Sequence, residues 1–253
     1  MSALVDQLVA QIIGLEVGLL SCQARLGAVT DDEALHDLRT TVRRLRSLLR
    51  PLRDLPGVEQ LGAAASAVGQ LTTPLRDREV LAAHLQQHGY HQAATRRMRQ
   101  QPQAYREVAQ SPELAQLLLI LAAFPRFIRA SQHQKLLKGL RVRIEKRLAK
   151  QWQKLDAALH DPDHDRHRLR LLIKRVRYAA EAYPRLGKLP AKAMSRLKSA
   201  QGALGDWHDH WQWLAQAEHQ ADLQPCVAVW HRTMAQAEGK ADRVLHKLAA
   251  QCF

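Results

Sequence analysis

Residues 36–46 read HDLRTTVRRLR and residues 167–177 read HRLRLLIKRVR, so one chain carries twice a histidine followed by basic residues at offsets three, seven, eight and ten. Apolar residues are threaded between the charges, and that spacing has a ready physical solution in the α-helix. At about 100° per residue, His36, Arg39, Arg43, Arg46 and Arg50 gather into an arc of about 80°. Leu35, Leu38, Val42, Leu45 and Leu49 fill the adjoining arc, so a basic row borders the face to be buried, while Arg44 points away. The second copy gives the same wheel. His167, Arg170, Lys174 and Arg177 share the basic arc, Leu169, Ile173, Val176 and Ala180 share the apolar one, and Arg175 points away as Arg44 does.

A single basic row is ordinary, since solvated helix faces commonly carry lysine and arginine. Two rows in the same register call for more. Like charges three or four residues apart cost a few tenths of a kcal/mol per pair, and the first row holds no carboxylate to relieve them. The second is relieved only at its end by Glu181, at the position matching Arg50. External anions are the expected counter-charge, and the formal net charge of +14 with a pI near 10.3 agrees. Nucleic acid, anionic lipid and inorganic polyanions all fit that charge. Two such helices facing each other would line a basic groove.

The rest of the chain is poor in β-branched and aromatic residues and rich in alanine, leucine, glutamine and arginine, which predicts an all-α fold. Helices are expected near 2–27, 31–53, 57–70, 76–88, 111–130, 132–160, 163–183, 188–204, 206–222 and 225–250, with 89–110 the least regular stretch. Thr30 and Glu33 form a T-x-x-E capping box, and Ser111-Pro112 and Asp161-Pro162 each place a cap before a first-turn proline. Cys22, Cys226 and Cys252 lie far apart, without disulfide or zinc-ligand spacing, which suits a reducing cytoplasm. No apolar run reaches the roughly 18 residues that span a bilayer, LAQLLLILAAF at 114–124 being the nearest, so a soluble protein without membrane partners is expected. A fainter echo sets LRDREVLAAHL at 75–85 against DWHDHWQWLAQ at 206–216, Asp77 and Asp209 lying 41 and 42 residues after His36 and His167 respectively. An internal duplication follows, with approximate halves 1–130 and 131–253.

These segments resemble the CHAD family, the conserved-histidine α-helical domain. The likeness runs through ALHDLRTTVRRLRSLLR, LRDREVL, HRLRLLIKRVRYAAEAY and LKSAQGALGDWHD, in that order and over nearly the whole chain. It implies one stand-alone domain, 1–253, of two pseudo-symmetric helical bundles around a basic central groove that binds inorganic polyphosphate without a reaction of its own. On that reading His36, Arg39, Arg43, Arg46, Arg50, His167, Arg170, Lys174 and Arg177 hold the ligand, with no catalytic residue, metal or cofactor. Polyphosphate granules and polyphosphate-metabolising proteins are the implied surroundings. Two departures stand out: Thr72-Thr73 where the family often shows Leu-Gly, and His208 where it often shows Asn. Both read as helix-junction elements that bear on turn geometry more than on the ligand.

Other readings compete. His36-Asp37, HDPDHDRH at 160–167 and HDH at 208–210 contain residues that bind divalent metals, which suggests a metal-dependent phosphohydrolase. Against it, Asp37 lies about 100° from His36 on the wheel, and the 160–167 run straddles a helix start where aspartates favour the macrodipole. Trp207, Trp211 and Trp213 are the nearest thing to nucleic-acid stacking residues, although tryptophans on a helix more often join a core. The basic segment 138–150 is a further surface for an anion or a protein partner.

Overall fold

A computed structural model describes residues 3–252 apart from 164 and 188, with side chains as far as 250. Among the described residues every regular element is helical, as the composition predicts: α1 (Ala3–Ala28), α2 (Ala34–Leu49), α3 (Val58–Gln87), α4 (His91–Met98), α5 (Gln101–Ala109), α6 (Pro112–His133), α7 (Leu140–Leu159), α8 (Arg166–Ala182), α9 (Ala191–Ala217) and α10 (Gln224–Cys252). Short 3₁₀ turns follow α2 and precede α10. The chain divides into two compact units, Met1–Arg143 and Ile144–Phe253.

In the first unit α1 packs on α2, α5 and α6, and α3 packs on α2, α4, α5 and α6. Leu8, Ile12, Leu19, Leu35, Leu38, Leu45, Leu61, Leu85, Leu117 and Leu121 form its buried interior. Helix α1 and the 91–133 stretch contain windows of mean hydropathy 1.6 and 1.4, sufficient by length and composition for a membrane span, a feature missed by counting uninterrupted apolar residues. Both nevertheless place buried leucines in this interior. The core of the second unit is contributed by α7 (Leu155, Ala158), α8 (Leu169, Ile173, Val176), α9 (Leu197, Ala200, Leu204) and α10 (Ala241, Leu245, Leu248).

Several boundaries differ from expectation, each for a local reason. The expected break between 57–70 and 76–88 is absent, and α3 runs through Pro74 for 30 residues. Proline removes one ladder bond there, and the Thr72 and Thr73 hydroxyls stitch the preceding turn by donating to the Val68 and Gly69 carbonyls at 2.8 and 2.7 Å. Likewise α9 is continuous through Gly205, where two helices are expected. The capping box does not form: Glu33 occupies the cap position without a side-chain cap bond, and the Asp31 carboxylate accepts the Glu33 N–H at 3.0 Å instead. Asp161-Pro162 forms a turn, Asp163 N–H donating to the Asp161 side chain, and the cap of α8 is Asp165, which accepts from the His167 and Arg168 N–H groups at 2.9 and 3.2 Å. Ser111 behaves as expected and accepts the Leu114 N–H at 3.3 Å. The 89–110 stretch supplies α4 and α5, and the expected 132–160 helix starts only at Leu140, after a turn in which Lys135 and Gly139 both have positive φ.

A buried carboxylate ties α3 to α5. Glu79, only 7% exposed, accepts from Arg76 at 2.8 Å, from Gln101 at 2.7 Å and from the Tyr105 hydroxyl at 2.5 Å. Three donors offset its desolvation, and removing the acceptor strands all of them. Glu79→Ala is expected to lower stability by about 3 kcal/mol in urea unfolding, and Glu79→Gln by about half as much.

Candidate functional site

The two basic rows are helices in the predicted register. On α2, Leu35, Leu38, Val42, Leu45 and Leu49 are all buried, His36, Arg39 and Arg43 are half-buried, and Arg46, Arg50 and Arg44 are exposed. On α8, Leu169, Ile173 and Val176 are buried and Ala180 half-buried, while Arg170, Lys174 and Arg177 are half-buried and His167 and Arg175 exposed. Each row therefore runs along the margin of a buried seam, one in each unit. Arg50 closes α2, its backbone N–H donating to the Arg46 carbonyl.

The seam beside the first row is made with α3, and there the Thr72-Thr73 departure acts on the row itself. Arg39 Nη1 donates to Thr72 Oγ1 and Thr73 Oγ1, each at 3.0 Å, and to the Gly69 carbonyl at 3.2 Å. Because both hydroxyls donate to carbonyls one turn back, their lone pairs are left for the guanidinium. The neighbouring Arg46 guanidinium lies against Gly69, where an added Cβ would meet its Nη1 at 3.4 Å. Burial disfavours the Arg39 charge, and Asp77 is the first partner to offset it. Arg43 Nη2 donates to Thr40 Oγ1 at 3.2 Å. The departures thus reach past turn geometry: with no helix junction at 72–73, the threonines fix an arginine of the row.

The second row is fixed differently. Arg177, its side chain 15% exposed, donates through Nε to Gln201 at 2.8 Å and through Nη1 to Glu181 at 2.6 Å, and lies 4.4 Å from the centre of the Tyr178 ring. Gln201 in turn donates to the Tyr178 hydroxyl at 3.1 Å, so Arg177 helps to join α8 to α9. At the other end of the row the His167 ring lies 5.3 Å from that of His208, which is 8% exposed and stacks on Trp211 at 5.8 Å. Burial first, then Arg170, His167 and Lys174, push the His208 imidazole down to about 4. His208, like the threonines, therefore belongs to the surroundings of a basic row and not to a helix break.

The histidine–aspartate clusters have other occupations. Asp37 accepts from Arg25 at 2.7 Å, the His160 ring pairs with Asp156, and His210 Nδ1 pairs with the Asp206 carbonyl at 2.7 Å. Among the described residues no group of three or more His, Cys, Asp or Glu side chains is placed to hold a metal; His164 lies outside them. Of the tryptophans, Trp213 is core, packed on Trp230, whereas Trp211 is 53% exposed. Cys22 and Cys226 are buried, and the Cys252 side chain lies outside the described residues.

The sequence pattern of the CHAD domain matches residues 11–218, which take in both basic rows and the segments that pack against them. The chain belongs to the CHAD family. A crystal structure of the CHAD domain from the plant Ricinus communis shares the fold, with a TM-score of 0.64 at 22% identity over 99% of this chain and 88% of that one. No curated protein matches the sequence. Within the CHAD pattern, the first row is clamped by threonine hydroxyls and the second abuts a buried histidine.

Two outcomes follow. Replacing Thr72 and Thr73 together by valine keeps their shape but removes the acceptors of a half-buried arginine, and should cost about 2 kcal/mol in urea unfolding, with the double serine variant close to wild type. His208 has a folded value below its ordinary 6.5, so the unfolded chain binds more protons between about 4 and 6.5. Its contribution to stability is complete above pH 6.5 and is lost as pH falls towards 4. That loss should be roughly 2 kcal/mol, and His208→Asn should flatten the profile across that window.

Proposed function

We propose that this CHAD domain binds inorganic polyphosphate along its two basic helix rows, without chemistry on the ligand and without a cofactor. Members of the family bind polyphosphate generally, and the observation that carries the reading here is the placement of both rows at the edge of a buried seam. A cation in that position is held by packing on one side and keeps its donors near solvent on the other. Arg39 illustrates this: its bonds to α3 all leave from Nη1, so the other guanidinium nitrogens remain for phosphate oxygens. From His36 to Arg46 the helix rises about 15 Å, room for several successive phosphate groups. His36, Arg43, Arg46 and Arg50 join Arg39 in the first unit, and His167, Arg170 and Lys174 act in the second. Arg177 contributes through the fixed geometry of α8 on α9.

A ligand without bases or sequence requires only charge and spacing, so binding weakens with salt as counterions cease to be released. The protein would act in the cytoplasm, at polyphosphate granules and alongside polyphosphate-metabolising proteins. One observation favours a second reading, single-stranded nucleic acid: Trp211 exposes about half its surface beside the second row. Competition between long-chain polyphosphate and an oligonucleotide of equal charge decides between them.

Calorimetric titration with polyphosphate of defined length tests the site. Arg46→Glu with Lys174→Glu should weaken binding at least tenfold and flatten its salt dependence. The charge-matched control, Arg44→Glu with Arg175→Glu, should change affinity only two- to threefold. Equal losses in the two double variants would contradict the assignment to the rows.

A further inference from the structure

His208 raises a question that the polyphosphate reading leaves open. It is a nearly buried imidazole whose Nδ1 finds no hydrogen-bond partner, set in ring contact with His167 at the start of the second row. Arg170 and Lys174 follow His167 at offsets three and seven on the same helix face, and these three groups of α8 are the charges that act on the ring. On its own helix, Asp206 lies two residues before it and pairs at 3.2 Å with Lys240 of α10, and Asp209 follows it directly. Trp211 covers the ring from the next turn. An imidazole in that setting is uncharged for two reasons, loss of water and the positive potential of the row. A bound polyanion cancels the second.

We propose that His208 is a latent cation of the second row, neutral in the free protein and protonated from solvent when phosphate groups occupy Arg170 and Lys174. The inference rests on the polyphosphate reading. The balance is simple: one proton leaves the buffer, the imidazole becomes imidazolium, and no bond other than the new N–H forms. In the free protein the ring titrates near 4 and an anion moves it up towards 6.5. Affinity therefore rises as pH falls through this interval, by about tenfold for each unit that the bound state gains, and levels off below about pH 4. In the first unit the residue that directly precedes Asp77, as His208 directly precedes Asp209, is Arg76, permanently charged and bonded to Glu79. Proton-coupled binding at this position is thus a property of the second unit alone. It favours ligands dense in negative charge, which alone can offset the local potential.

Titration calorimetry at pH 5.5 in two buffers of different ionisation enthalpy counts the protons taken up when polyphosphate binds. Wild type should take up more protons than His208→Asn. In the unaltered protein, the ring signal of His208 followed by nuclear magnetic resonance should move its titration midpoint up by at least one unit when polyphosphate is added. This second measurement does not depend on how the variant folds. Tight binding with an unmoved His208 midpoint, or with equal proton uptake by the two proteins, would overturn the inference and leave the polyphosphate reading intact. No binding at any pH would overturn both.

Discussion

Helix α2 can bury Leu35, Leu38, Val42, Leu45 and Leu49 only by bringing the arginines of the adjoining arc to the edge of a dry seam, and α8 faces the same condition. A guanidinium at that edge loses part of its water and needs fixed acceptors or an external anion in exchange. The polar groups that flank the rows answer this constraint. Thr72, Thr73 and the Gly69 carbonyl supply acceptors to Arg39, and Gln201, Glu181 and the Tyr178 ring do so for Arg177. Fixing these cations restricts their side-chain rotamers, which on the proposed function lowers the ordering cost of binding a polyanion.

The two units meet the same constraint by different chemistry. In the first, neutral hydroxyls hold an arginine whose charge does not depend on pH, and the nearby Arg76 is committed to the buried Glu79. In the second, the residue packed against the row is a histidine whose charge does depend on its surroundings. The repeated basic helix is thus set against neutral hydroxyls in one unit and against an imidazole in the other.

Much of this is legible in the sequence, because helical periodicity is a strong local signal. The all-α fold, the register of both rows, the burial of their apolar arcs and the solvent-facing positions of Arg44 and Arg175 all follow from 3.6 residues per turn. What the sequence conceals is tertiary. The expected break between 57–70 and 76–88 contains Pro74, yet threonine back-bonding and packing on α2 and α6 carry α3 through it. Thr30 and Asp161 are sound cap residues by type, but Asp31 and Asp165 take the bonds because only they stand at the geometry of the actual helix starts. Thr72, Thr73 and His208 are visible as departures from the family pattern. Their contacts with the rows depend on a neighbouring helix, which periodicity along a single helix cannot supply.

On the proposed function, the cations at the seam margins, and not basic charge in general, hold polyphosphate. Residue-resolved nuclear magnetic resonance of arginine, lysine and histidine side chains during titration with polyphosphate tests it most directly. Saturable shifts are expected at His36, Arg39, Arg43, Arg46, Arg50, His167, Arg170 and Lys174, with Arg44 and Arg175 unmoved. Shifts spread evenly over all exposed cations, or concentrated on the basic segment 138–150, would contradict it.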